Sequence, residues 1–340
     1  MALRLYITKN FDHMSHVAAT LAESQIQNVH TSKQECVLGL ATGSSPTGMY
    51  KHLAKACNIG RIDPARVRSF NLDEYVGLPG VNAQQRALHC KSYSYFMVTE
   101  LFGLMPVKFA ETFVPYGLLI EQKGLEEALE NQSQLYELRG SSHGKSVMIS
   151  PEATGLLGDI RRDVLESYQR EMERVGGVDL QIIGVGGHGH VAFHESGIPF
   201  DGPSMLLVKL DDNTIENAVS DGHFASLEAS PHYAITMSAE LVFQAKQVML
   251  LANGPRKTKP MAEALLGDIT PEVPVSYAQR YAQEGGGMVC VMDEAAAAEI
   301  LQHPEAVKEK GYEVIDCRGE GYTQLTDINF VYDAGLGSLR

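Results

Sequence analysis

Val178-Asp-Leu-Gln-Ile-Ile-Gly-Val-Gly-Gly-His-Gly-His-Val-Ala-Phe-His-Glu-Ser-Gly-Ile-Pro199 is the stretch on which the fold turns. It opens with an apolar run, Leu180 to Val185, too short for a helix and rich in β-branched residues. Such a run reads as a buried strand of a parallel sheet. Glycines follow at 184, 186, 187 and 189, so the backbone beyond the strand can turn sharply and approach a ligand closely. His188, His190, His194 and Glu195 then fall just past the strand's carboxyl end, where open α/β sheets bind ligands. One histidine there would be an ordinary solvated turn. Three histidines and a glutamate between 188 and 195 point to a site.

Upstream, Cys36 to Ala41 is a second buried strand running into Thr42-Gly-Ser-Ser-Pro-Thr-Gly48. Ser45 is expected to cap the helix that follows, with Pro46 in its first turn. A strand, a small polar loop and a helix start put free N–H groups and the hydroxyls of Thr42, Ser44 and Ser45 around Gly43, a cradle suited to phosphate. Val67 to Leu72 is a third strand, ending at two adjacent carboxylates, Asp73 and Glu74, candidates for acid–base work. Leu3 to Ile7 is a first strand, followed by a helix over 11–30. Ser92 to Leu104 reads as a helix whose aromatic face (Tyr93, Tyr95, Phe96, Phe102) belongs to the core. This alternation implies an α/β fold, a mostly parallel, doubly wound sheet with helices on both faces.

Composition narrows the function. The chain has 340 residues, 44% hydrophobic and 21% charged, the balance of a globular protein with a sizeable core. Its net charge of −14 argues against nucleic acid and anionic membranes as partners. A phosphorylated ligand would need cations placed locally. No apolar run is long enough to span a bilayer, and the first residues enter a strand pattern without the core of a signal peptide. Cysteines at 36, 57, 90, 290 and 317 are scattered and unpaired in pattern, which suggests reduced thiols and a cytoplasmic protein.

Three motifs, in order, resemble one family. Leu38-Gly-Leu-Ala-Thr-Gly-Ser-Ser-Pro-Thr-Gly-Met-Tyr-Lys51, Ser69-Phe-Asn-Leu-Asp-Glu-Tyr-Val-Gly-Leu-Pro79 and Gly184 to Glu195 are similar to glucosamine-6-phosphate deaminases. Tyr233 to Ser238, Ala245 to Leu251 and Gly254-Pro-Arg-Lys257 agree. The related 6-phosphogluconolactonases carry Asp-Glu-Arg at the second motif and lack the ending of the third. The resemblance covers about residues 1–116 and 160–300. It lapses over about 117–159, where Glu121 to Arg139 reads as a helix, 140–145 as a turn and Val147 onward as a short strand. One domain is therefore expected, with an insertion at 117–159 and an extension after about 300.

The resemblance implies aldose–ketose isomerisation coupled to loss of ammonia from an amino-sugar 6-phosphate, with no cofactor and no metal, in a protein that could form a homo-oligomer. It implies that Asp73 moves the proton between C1 and C2, that His190 serves ring opening, and that Glu195 orients His190. Thr42, Gly43, Ser44, Ser45 and Lys257 match phosphate contacts, with Glu74, Gly186 and Gly187 also lining the substrate site. Two departures bear on the substrate. His188, also expected among the catalytic residues as an imidazole beside His190, stands where the family has Asp or Asn, and the family's phosphate-binding arginine is missing from 217–223. Lys209, Arg256, Lys259, Arg139 or Lys145 could compensate, and the insertion either folds over the pocket mouth or is a peripheral elaboration or oligomer contact. Three other readings stay open: a non-catalytic sugar-phosphate sensor, a lactonase-like hydrolase, and a cupin-like metal site at His188, His190 and Glu195.

Overall fold

The computed structural model describes residues 3–141, 144–220, 222, 224–333 and 338–339. In chain order the strands are β1 (Arg4–Thr8), β2 (Cys36–Leu40), β3 (Val67–Asn71), β4 (Asp73–Val76), β5 (Glu111–Phe113), β6 (Tyr136–Arg139), β7 (Lys145–Ile149), β8 (Leu180–Ile183), β9 (Met205–Lys209), β10 (Tyr233–Met237), β11 (Gln247–Ala252), β12 (Gly287–Asp293) and β13 (Glu313–Asp316). Eight of them form a parallel sheet in the order β13-β1-β12-β11-β8-β2-β3-β5. From β2 the chain moves outward to β3 and β5, then returns to β8 and proceeds the other way through β11 and β12. The gap between β2 and β8 is thus the topological switch point, the place where such sheets open a ligand crevice.

Side-chain alternation along the strands feeds two cores. Leu38, Leu40, Leu180, Ile182, Met249, Leu251, Val289 and Val291 pack on the helices Phe11–Ser32 and Thr47–Asn58. Val37, Ile183, Leu250, Cys290 and Met292 face the opposite side, with Tyr168, Met261, Ala278 and Ile300 from the helices that cover it. The expected α/β sheet with helices on both faces is what the chain builds. A cupin barrel is excluded by this open parallel sheet.

A second, antiparallel sheet was not anticipated: β4-β10-β9-β7-β6. Its edge strand β4 starts two residues after β3 ends, so Asp73 sits where the chain passes from one sheet to the other. Residues 117–159, expected to be an insertion, supply β6 and β7. Residues 121–139 were expected to be one helix, but the helix stops at Asn131 and Tyr136–Arg139 is a strand. Pairing with β7, itself laddered onto β9, overrides the local helix preference of that segment. Ser45 is a second correction. The helix Thr47–Asn58 begins at Pro46 without a side-chain cap, and the Ser45 hydroxyl instead donates to Asn253 Oδ1 (2.8 Å). Beyond residue 300, β13 adds a parallel strand beside β1. The tail then crosses helix Phe11–Ser32, with Tyr322 stacked on His13 and the Leu325 N–H donating to Asp12.

Candidate active site

The loop after β8 is held both by its own backbone and by the segments around it, with Thr236 accepting from the Phe193 N–H, and the Gly189 carbonyl accepting from the Val275 N–H. The Gly186 N–H donates to the His190 carbonyl (2.9 Å), Gly189 to Gly186 (3.1 Å) and His194 to Val191 (3.0 Å). Ala192 takes φ +52°, a left-handed conformation unusual for alanine. This tight course brings His190 Nδ1 to 3.4 Å from Glu195 Oε2. A side chain at Gly186 would fall 1.9 Å from His190 Nε2, so the imidazole occupies the space that glycine leaves.

Burial dominates the electrostatics here. Desolvation, then the charge of Lys257, then His188, lower the His190 pKa to about 4. Burial raises Glu195 to about 7, reinforced by Asp211 and opposed by hydrogen bonds from Thr214 and the Asp211 backbone. Near neutral pH the imidazole is therefore uncharged and able to take up a proton, beside a carboxyl group that can hold or release one. His188 is exposed at the loop's tip. His194 has a purely architectural place: its Nδ1 accepts from the Ala239 N–H (3.0 Å) and its Nε2 lies 3.0 Å from the Ile198 carbonyl, fully buried.

The two neighbouring carboxylates part company. Asp73 is 5% exposed, and burial, then the neighbouring Glu74, raise its pKa well above the usual carboxylate range. Glu74 is fully buried, and its oxygens accept from the N–H groups of Tyr75, Tyr93 and Ser94 (2.9, 3.0 and 3.0 Å). It is spent on the start of helix Tyr93–Glu100 and presents no surface to a ligand, unlike the substrate contact expected of it. Tyr93, expected to be plain core, hydrogen-bonds to both Thr42 and Tyr75. Tyr75 in turn feels the charges of Asp73 and of Glu195. One run of neighbours, Thr42–Tyr93–Tyr75, thus joins the loop after β2 to both carboxylates.

At the carboxyl end of β2, Gly43 and Ser44 are exposed and Ser45 is 7% exposed. The uncapped helix start beyond them leaves its first N–H groups for an anion. Nothing lies within 4 Å of where a side chain at Gly43, Gly184 or Gly187 would be, so these glycines border open space. Lys257 Nζ donates to the Val185 carbonyl (2.6 Å), which sets its cation beside the β8 loop. Asn253, the Ser45 partner, was missed in the sequence. Its place at the end of a strand two away from β2 in the sheet becomes visible only once the strand order is known.

The replacement cations fare unequally. Arg139 is engaged with Asp201, 3.0 Å to the carboxylate and 3.2 Å to its carbonyl. His143, Asp221 and His223 lie outside the described residues. Among the described residues no group of three His, Cys, Asp or Glu side chains could hold a metal ion, and no helix is long and apolar enough to cross a membrane.

No protein-family model matches the chain. A glucosamine-6-phosphate deaminase of Clostridium perfringens (strain SM101 / Type A) is 33% identical over 295 residues, 87% of this chain and 98% of that one. Its counterpart in Clostridium botulinum (strain Eklund 17B / Type B) is 32% identical over 307 residues, 90% and 99%. Among solved structures, a monomeric glucosamine-6-phosphate deaminase superposes with a TM-score of 0.63 at 22% identity, covering 87% of this chain and all of that one. A 6-phosphogluconolactonase from Trypanosoma cruzi gives 0.56 at 16% identity over 88% and 98%. The structural likenesses carry the fold alone. The sequence relatives carry more: end to end over their own length, they place this chain in the glucosamine-6-phosphate deaminase family.

Proposed function

We propose that the protein converts an amino-sugar 6-phosphate, glucosamine 6-phosphate foremost, into a ketose 6-phosphate and ammonia. The observation that supports this reading most is the His190–Glu195 pair at 3.4 Å, with the charge of Lys257 felt at His190 and with Tyr75 feeling both Asp73 and Glu195. Ring opening needs a proton taken from the anomeric hydroxyl and one delivered to the ring oxygen. His190, uncharged at neutral pH, suits that relay, with Glu195 fixing its ring. The open chain then needs a base that removes the C2 proton and returns it to C1. Asp73 has that role, and its raised pKa makes it a stronger base than an ordinary carboxylate. Water adds to the resulting C2 imine and ammonia leaves. Residues 42–45, the bare start of helix Thr47–Asn58 and Lys257 hold the phosphate. The free thiols of all five cysteines agree with a cytoplasmic setting.

The test is a panel of hexose and hexosamine 6-phosphates, with ammonia and ketose measured separately. Equal amounts of both products from glucosamine 6-phosphate are expected. Binding of the panel without turnover would make the protein a sensor, and ketose without ammonia would make it a plain isomerase.

A further inference from the structure

The insertion reaches Glu195. Gly144, just before β7, lies on it so closely that a side-chain carbon there would sit 2.2 Å from Glu195 Cβ and 2.4 Å from its Cγ. Those atoms are the root of the glutamate side chain, which cannot swing aside as a flexible tip could. The hairpin is also fastened to the chain just beyond Glu195. The Ser141 N–H donates to the Gly197 carbonyl (3.1 Å), and Arg139 pairs with Asp201 (3.0 Å). Its own position is set by the β7–β9 ladder.

We infer that the β6–β7 hairpin is a positioning element of the active site, and that it acts through Gly144, whose lack of a side chain lets the turn seat Glu195 against His190. The inference rests on the proposed roles of those two residues. Glu195 is faced by His190 on its own loop, by Asp211 and Thr214 at the start of helix Asp212–Ser220, and by the Gly144 backbone from the hairpin. The Gly144 backbone thus covers Glu195 on a side that carries no charged partner among the described residues. Lifting it would let water reach the carboxylate and bring its titration down toward the ordinary range.

Gly144→Ala tests this. The expected result is a fall in kcat of about tenfold or more with KM for glucosamine 6-phosphate changed about twofold at most, since a displaced catalytic pair costs turnover and not phosphate binding. The pH–rate limb belonging to Glu195 should move to lower pH. Unchanged kcat and pH profile in a folded variant would overturn the inference. Should Gly144→Ala fail to fold, Arg139→Ala loosens the same hairpin from outside, and a fall in kcat of about two- to fivefold with the same direction of pH shift is expected; no shift would overturn it. An NMR titration of His190 and Glu195 in both proteins needs no substrate, so it decides the inference even if the substrate proposal fails. If instead Glu195→Gln and His190→Ala stay fully active, the proposed chemistry itself is wrong.

Discussion

The loop after β8 and the β6–β7 hairpin meet at Glu195, but they are held there by different means. The loop combines contacts a few residues apart (Gly186 to His190, Gly189 to Gly186, His194 to Val191) with ties to residues 236, 239, 271 and 275. The hairpin is placed by strand pairing to β9, some sixty residues further along the chain, in a different sheet from β8. The His190–Glu195 pair is thus brought together within one short loop, whereas the cover over Glu195 comes from a distant part of the chain. Because desolvation is the leading cause of the shift at Glu195, the distant element that covers it bears on the protonation state of that carboxyl group.

The sharpest way to break the local half is Gly186→Ala. The new carbon falls on the His190 ring, and kcat should drop by about 10²-fold with the fold retained, because a misplacement of about 1 Å is enough for such a loss. Steady-state kinetics with a circular dichroism check would measure it. Near wild-type kcat would mean the loop can reshape itself.

The burial half is sharpened by Glu195→Gln, read through stability. In the folded protein Glu195 titrates near 7, against 4.5 for an ordinary glutamate. The native state therefore holds its proton more tightly than the unfolded chain does. That contribution to stability is present below about 4.5 and is lost as pH rises through about 7. The glutamine carries no charge, so the variant should match wild type near pH 5 and exceed it by up to about 3 kcal/mol above pH 8. Calorimetric melting at the two pH values measures this; an equal effect at both would show that the carboxylate is not held by burial.

Lys257→Ala reads the phosphate side of the site, from a residue that also ties to the loop after β8 at Val185. Losing a charge-assisted contact should raise KM for phosphorylated sugars about tenfold while leaving unphosphorylated sugars unaffected. Equal effects on both would remove Lys257 from the phosphate site.

What was legible in the chain follows the same division. Leu180 to Glu195, Thr42 to Ser45 and Asp73 could be placed at strand ends because they follow directly on the strands that present them. Ser45 misled, since a serine ahead of a helix is a capping signal and nothing local says that Asn253 competes for its hydroxyl. Glu74 misled for a related reason: its partners, the N–H groups at 93 and 94, belong to a helix nearly twenty residues away. Tyr136–Arg139 looked helical by residue preference and became a strand through β7. The contact between Gly144 and Glu195 could not be read at all, because it requires both sheets to be assembled first.

The central claim, that Asp73 is the base of an amino-sugar phosphate deaminase, is tested most directly by comparing wild type with Asp73→Asn on glucosamine 6-phosphate. Ammonia release gives the rate, and calorimetric titration gives the affinity. The account expects turnover to fall by about 10²–10⁴-fold, the usual contribution of a general base, with the dissociation constant nearly unchanged. A variant that releases ammonia at close to the wild-type rate would contradict it.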